Sequence, residues 1–141
     1  MHIKKTTCFY LIVLGMLAAA ASCKRQKMEE HVFVVNIAAG DQKLQEYLDH
    51  HQHIWPEVEA GFKKAGYKKI TLSRYQHLIV MSVLVPAGAS LDSMGRIAEA
   101  SNKRCAEWNQ LMNTYQEGVP GTMPGQKWVE VKPFYNFENE K

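Results

Sequence analysis

The stretch KITLSRYQHLIVMSVLV, residues 69–85, contains two runs rich in β-branched and large apolar side chains, Lys69 to Arg74 and Leu78 to Val85, separated by Tyr75-Gln76-His77. Runs of this length and content form strands, and three residues suffice to reverse the chain, so the segment predicts an antiparallel hairpin. On its N-terminal side Leu44, Tyr47, Leu48 and His51 recur at helical spacing, and Val58, Phe62 and Ala65 continue the stripe. Pro56 divides that helix, because Trp55 before it is pushed from helical geometry while proline suits the first position of a new helical segment. Gly66 is placed to end that segment as a left-handed cap. Further upstream, Val32-Phe33-Val34-Val35-Asn36-Ile37 predicts a strand that begins near His31, and Ala38-Ala39-Gly40-Asp41 ends it, with Asp41 able to cap the helix. Downstream, Pro86-Ala87-Gly88-Ala89 closes the hairpin and a helical pattern runs from Ser90 or Leu91 to Tyr115, with Cys105, Trp108, Met112 and Tyr115 on one face. The segment from Gly118 to Gly125 is a loop, and Trp128 to Phe137 predicts a last strand whose Pro133 marks an edge or a bulge.

The order is β-α-β-β-α-β, an α+β chain in the ferredoxin-like arrangement of an antiparallel sheet with helices on one face. The other face of such a sheet is bare. With Val, Ile and Phe abundant in the strands it would expose a large apolar patch, so a homodimer packed sheet to sheet is expected.

The chain has 141 residues, of which 46% are hydrophobic and 22% charged, the balance of one globular domain. Its first residues, 1–22, carry Lys4 and Lys5, an apolar run from Cys8 to Leu17, and small residues up to Ala20-Ala21-Ser22 before Cys23. That is a secretory signal pattern, too short in its apolar part for a permanent membrane span. Small residues ending at a cysteine resemble a lipobox, which makes Cys23 the expected lipidation site and mature N-terminus; an ordinary cleavable signal is the alternative. Residues 23–30 then read as a charged tether and 31–141 as the domain. The expected location is the bacterial cell envelope, with membrane contact only through the N-terminal lipid anchor.

Without Lys4 and Lys5 the chain has 15 basic against 14 acidic residues. A balance of this kind leaves no basic stripe, so nucleic acid is excluded as a partner. Cys105 would be the single thiol left over, which cannot form an internal disulfide, and its place in an apolar helical pattern reads as core.

Chemistry concentrates in Tyr47-Leu48-Asp49-His50-His51-Gln52-His53-Ile54-Trp55-Pro56-Glu57. Tyr47 and His51 are four apart, so a phenol and an imidazole share one helix face. Imidazole titrates near neutrality and can serve as acid or base. Indole faces pack against the C–H bonds of sugars while hydroxyls take polar partners, so Trp55 or Trp108 beside Tyr47 and His51 would suit a carbohydrate pocket. Packing in the core is the competing reading for both tryptophans. A metal site is not expected, since His50, His51 and His53 splay around the helix and no cysteine pair or H-E-x-x-H accompanies them.

The segment His51 to Glu57, preceded by Tyr47, is similar to the Tyr-x-x-x-His-x-x-Ile-Trp-Pro-Glu signature of the L-rhamnose mutarotases. The similarity runs over roughly His31 to Phe137 and takes in Gly66, the strand His77 to Val85, Cys105-Ala106-Glu107-Trp108 with Met112, and Glu130-Val131 with Phe134-Tyr135. The resemblance implies a dimeric α/β barrel of ferredoxin-like subunits and a cofactor-free isomerase that interconverts the α and β anomers of L-rhamnose or a similar pyranose. It implies His51 as general acid at the ring oxygen, with Tyr47, Trp108, Asn109 and Trp55 around a monosaccharide. Where the family has a tyrosine on the second strand this chain has Ile70, Trp108-Asn109 stands for a Trp-Trp pair, and His53 stands where proline is usual. Two further readings share the architecture: a sugar-binding module without catalysis, and a dimeric-barrel monooxygenase.

Overall fold

The computed structural model describes residues 26–139. The elements follow as β1 (Met28–Ile37), α1 (Asp41–Gln52), α2 (Pro56–Ala65), β2 (Lys69–Tyr75), β3 (Leu78–Pro86), α3 (Leu91–Ala100), α4 (Lys103–Tyr115), β4 (Gln116–Glu117) and β5 (Val129–Val131). The sheet runs β2-β3-β1, and both β4 and β5 pair with the far side of β1. Every pairing is antiparallel. The two short C-terminal strands together fill the fourth position, which completes the ferredoxin-like order.

The β1–β3 ladder is the spine of the sheet, running from Met28 opposite Pro86 to Asn36 opposite Leu78. Side chains alternate across a strand, so Val35, Ile37, Ile79, Val83 and Val85 all fall on one face, where none is more than 2% exposed. Burying side chains of this size stabilises by about 1.5–3 kcal/mol each. Tyr47, Val58, Trp108 and Met112 from the helices close over them. Val32, Val34, Val80 and Leu84 point the other way and are only half-buried.

Proline divides the first helical region as expected: α1 stops at Gln52, Trp55 is extended, and Pro56 opens α2. Gly66 ends α2 in the left-handed region at φ 96°, and a shape without a Cβ is what that conformation favours. Gly61 serves a different end. A Cβ there would stand 2.9 Å from the Ala98 carbonyl and 3.2 Å from Cys105 Sγ, so its bareness lets α2 lie close against α3 and α4.

Four boundaries differ from the sequence expectation. Asp41 is the first helical residue and not the cap; Gly40 holds the cap position, and the Asp41 carboxylate favours the helix through its first-turn dipole. Met28 and the charged Glu29 and Glu30, read as the end of the tether, belong to β1, because the ladder is built by backbone groups that do not depend on apolar side chains. The single helix expected to Tyr115 breaks at Ser101-Asn102, where the Asn102 side chain accepts from Arg104 N at 2.9 Å and starts α4 afresh. The last strand is three residues long, not ten. Pro133 has no N–H for the ladder, and Phe134 beyond it is fully exposed.

Candidate active site

α1 brings Tyr47 and His51 onto one face one turn apart, with ring centroids 4.3 Å apart and planes tilted by 39°. His51 Nδ1 lies 2.8 Å from the Tyr47 carbonyl. A carbonyl only accepts, so Nδ1 carries the hydrogen and donates it, and the neutral ring keeps its lone pair on Nε2. Burial pushes the His51 pKa below its ordinary 6.5; the bond to the Tyr47 carbonyl opposes this, and the neighbouring His50 adds to it. The resting imidazole at neutral pH is therefore uncharged, with Nε2 as a proton acceptor. A neutral ring of this tautomer donates from Nε2 after taking a proton there, and the expected role of general acid follows that step.

Tyr47 is 2% exposed. Burial raises its pKa, against the lowering effect of a hydrogen bond from the Gln116 side chain, so the phenol stays protonated. Gln116 is itself buried, and Lys127 Nζ donates to its backbone carbonyl. Neither residue stood out in the sequence. Gln116 closes a helix and Lys127 follows a Gly- and Pro-rich loop, and only the folding of that loop back onto β4 brings Lys127 to the Gln116 carbonyl.

From α4, Trp108 meets His51 edge-on at 5.4 Å and is 5% exposed. Trp55 stands behind it, edge-on at 5.3 Å, with the Arg104 guanidinium 3.5 Å above the Trp55 ring. Tyr47, His51, Trp108 and Asn109 all line one cavity of about 1350 Å³, whereas Trp55 does not. Trp55 thus buttresses Trp108, and its ring packs the start of α2 against α4. The three clustered histidines diverge. His50 Nε2 lies 3.3 Å from the Tyr115 hydroxyl, His51 lines the cavity, and His53 Nδ1 reaches back to the Asp49 carbonyl at 3.4 Å.

The cavity exists because the helix layer is narrower than the sheet. Helices cover β1 and β3, while β2 is exposed along its length apart from Ile70. Ile70, Leu72 and Arg74 stand opposite Val83, Met81 and Ile79, so they share the helix-facing side and form the outer wall. Ile70 accordingly lines the cavity from the strand on which the family carries a tyrosine. The assembly can hold a sugar-sized ligand between indole and apolar walls, with one proton acceptor, one phenol and one amide at a single end.

Comparison with known proteins gives these features a family. Residues 30–137 match the family model described as L-rhamnose mutarotase. An L-fucose mutarotase of Xanthomonas campestris pv. campestris is 34% identical over 79 residues, 55% of this chain and 62% of that protein, so the chain spans less than two thirds of that relative. An L-rhamnose mutarotase of Klebsiella pneumoniae is 30% identical over 82 residues, 57% of this chain and 74% of that protein. Among solved structures, an L-rhamnose mutarotase from Formosa agariphila superposes with a TM-score of 0.55 at 16% identity, covering 78% of this chain and 99% of that one. A dimeric ferredoxin-like protein from an uncultured marine organism gives 0.51 at 11% identity, over 79% and 96% of the two chains. At these identities the two structures speak for the fold.

The comparisons also correct the expected location. The family and relatives that match are named for sugar mutarotation and not as envelope lipoproteins, so the lipid-anchored envelope assignment is set aside. Cys23 and the leader, residues 1–22, lie outside the described residues. Among the described residues no helix is long and apolar enough to cross a membrane. With Tyr47, His51 and Ile54 of the signature at one cavity and the match extending over nearly all of the folded chain, the protein belongs to the L-rhamnose mutarotase family.

Proposed function

We propose that the protein is a cofactor-free sugar mutarotase that exchanges the α and β anomers of L-rhamnose or another pyranose of similar size. Family membership supports the reaction class, and relatives named for L-fucose and L-rhamnose support a deoxyhexose. The observation that supports the residue assignment is the 2.8 Å bond from His51 Nδ1 to the Tyr47 carbonyl, which occupies Nδ1 as a donor and leaves Nε2 as the free ring nitrogen of a residue in the cavity wall.

In this mechanism Nε2 takes the proton of the anomeric hydroxyl. The C1–O1 bond becomes a carbonyl as the C1–O5 bond breaks, and the new imidazolium returns the proton to O5. Rotation about C1–C2 and the same steps in reverse give the other anomer, so one imidazole acts first as base and then as acid with no net proton change. Tyr47 donates a hydrogen bond to the reacting oxygens, Trp108 packs on the C–H face of the ring, and Asn109, whose amide nitrogen is held by Glu99 at 3.2 Å, offers its oxygen to a hydroxyl. The active form is a homodimer joined through the open sheet face. Support for this is the apolar patch of Val32, Val34, Val80, Val129 and Val131, aligned by the register of β1 with β3 and β5.

NMR saturation transfer between the anomer signals of L-rhamnose and L-fucose tests the reaction. Catalysed exchange is expected, and His51→Ala should remove about 10²–10⁴-fold of it while the far-ultraviolet circular dichroism is retained. Exchange at the uncatalysed rate with the intact protein, or at the full rate with the variant, would overturn the assignment. Light scattering should give the mass of two chains, reduced to one by Val80→Lys.

A further inference from the structure

The charge of the molecule is not spread evenly. The cavity wall includes five cationic side chains, Arg74 and Lys127 among them, against two carboxylates, Glu59 and Asp92. The whole chain has 17 basic and 14 acidic residues, so this one wall holds the entire excess of three positive charges and the remaining residues balance. Among the described residues none of the five forms an ion pair, whereas Lys103, Arg104 and Lys132 outside the cavity each have a glutamate partner. Arg74 spends one weak bond on the Gln76 carbonyl at 3.4 Å, and Lys127 is spent on the Gln116 carbonyl.

Register places Arg74 at the same end of the sheet as Tyr47, across the cavity from it. Arg74 stands opposite Ile79, which stands opposite Val35, so the three form one row across the helix-facing side. Gln116 stands opposite Ile37 in the next row, and Gln116 touches both Tyr47 and Lys127. Strands are about 4.8 Å apart, which puts the Arg74 backbone roughly 10 Å across the sheet from the β1 residues beneath Tyr47. That separation is the span of one pyranose ring plus a substituent. The volume, about 1350 Å³, also exceeds the roughly 300–1,000 Å³ usual for ligand pockets, so a single neutral deoxyhexose would leave much of it and all of its cations to water.

We propose that the cavity takes a pyranose bearing an oxyanion, a carboxylate or a sulfate ester, with the ring at the His51 end and the anion at Arg74 on the outer wall. This rests on the mutarotase reading and names its substrate class. Guanidinium matches the two oxygens of such a group, and a concave apolar wall focuses the field of unpaired cations onto it.

The test compares anomer exchange of L-rhamnose, a hexuronate such as D-galacturonate, and a monosulfated 6-deoxyhexose, each followed by NMR at low and at about 0.5 M salt. The expected result is kcat/KM for one of the charged sugars about tenfold or more above the neutral one at low salt, with the ratio falling as salt screens the wall. Arg74→Gln, on an exposed strand residue and checked by melting, should lower that ratio about fivefold or more. Preference for the uronate or for the sulfate identifies the anion. Neutral sugar exchanged as fast as both charged ones, or a ratio indifferent to Arg74→Gln, overturns the proposal and leaves the mutarotase reading standing. Exchange of none of the three overturns both.

Discussion

β2 and β3 lie side by side in one hairpin, alternate in the same way and share a register, yet they meet opposite fates. β3 buries Ile79 and Val83 to 2% and Val85 completely, while Leu72 of β2 is 37% exposed and Ile70 is the one half-buried residue of its strand. The strands differ in their neighbours: β3 lies between two strands and beneath helices, and β2 lies at the rim, past the edge of the helix layer. An apolar stripe covered by helices becomes core, and the same stripe left uncovered becomes the wall of a binding cavity. The proposed reacting residues, Tyr47 and His51, sit at the seam between the two, where α1 and α4 still reach the sheet but no longer fill the space above it.

The largest effect expected along this seam is on chemistry. His51→Ala should cost about 10²–10⁴ in exchange rate, and its melting temperature, compared with the parent's, should show the fold intact. On the covered side Ile79→Ala should destabilise by about 2–5 kcal/mol, read by urea denaturation, because the helices above cannot collapse into the space left behind. Gly61→Ala should destabilise by about 1–3 kcal/mol in the same assay, although alanine is the better helix former, since its Cβ meets the Ala98 carbonyl. On the rim Leu72→Ala should change stability by no more than about 0.5 kcal/mol. A cost at Leu72 equal to that at Ile79 would erase the distinction between wall and core.

The acid side of the pH profile sharpens the same comparison. Burial lowers the folded-state pKa of His51 below the 6.5 of the unfolded chain. The neutral form is therefore favoured by folding, and this contribution to stability is present above pH 6.5 and lost as pH falls through and below it. Activity follows the same form: kcat/KM should be level at neutral pH and decline only below 6.5, measured by anomer exchange from pH 5 to 8. A decline already complete at pH 7 would mean that the imidazole is charged in the resting enzyme.

Much of the site was readable because it is local. Tyr47 and His51 are one turn apart on a helix whose period is visible in Leu44 and Leu48, and the proline after Trp55 marks where that helix stops. Trp108 was legible from its place in the apolar stripe of α4. The surroundings of Trp55 were not readable, because helical spacing reports which face a side chain takes and not what occupies the space beyond, and here Arg104 and Trp108 pack on its ring. Gln116 and Lys127 were invisible for a related reason: Gln116 lies just past the end of the helical period, and the contact of Lys127 with it depends on a loop of Gly and Pro whose path has no periodic signature.

The alternation of strand and helical regions, the break at Pro56, the left-handed stop at Gly66 and the pairing of a phenol with an imidazole are written in the residues, since each rests on backbone sterics or spacing within a few positions. Which apolar stripe is core and which is cavity, which nitrogen of His51 is free, and where the chain's excess positive charge collects emerge from the folded arrangement alone. Those outcomes depend on what lies across a gap from residues distant in the chain, and burial and electrostatics act through that gap and not along the sequence.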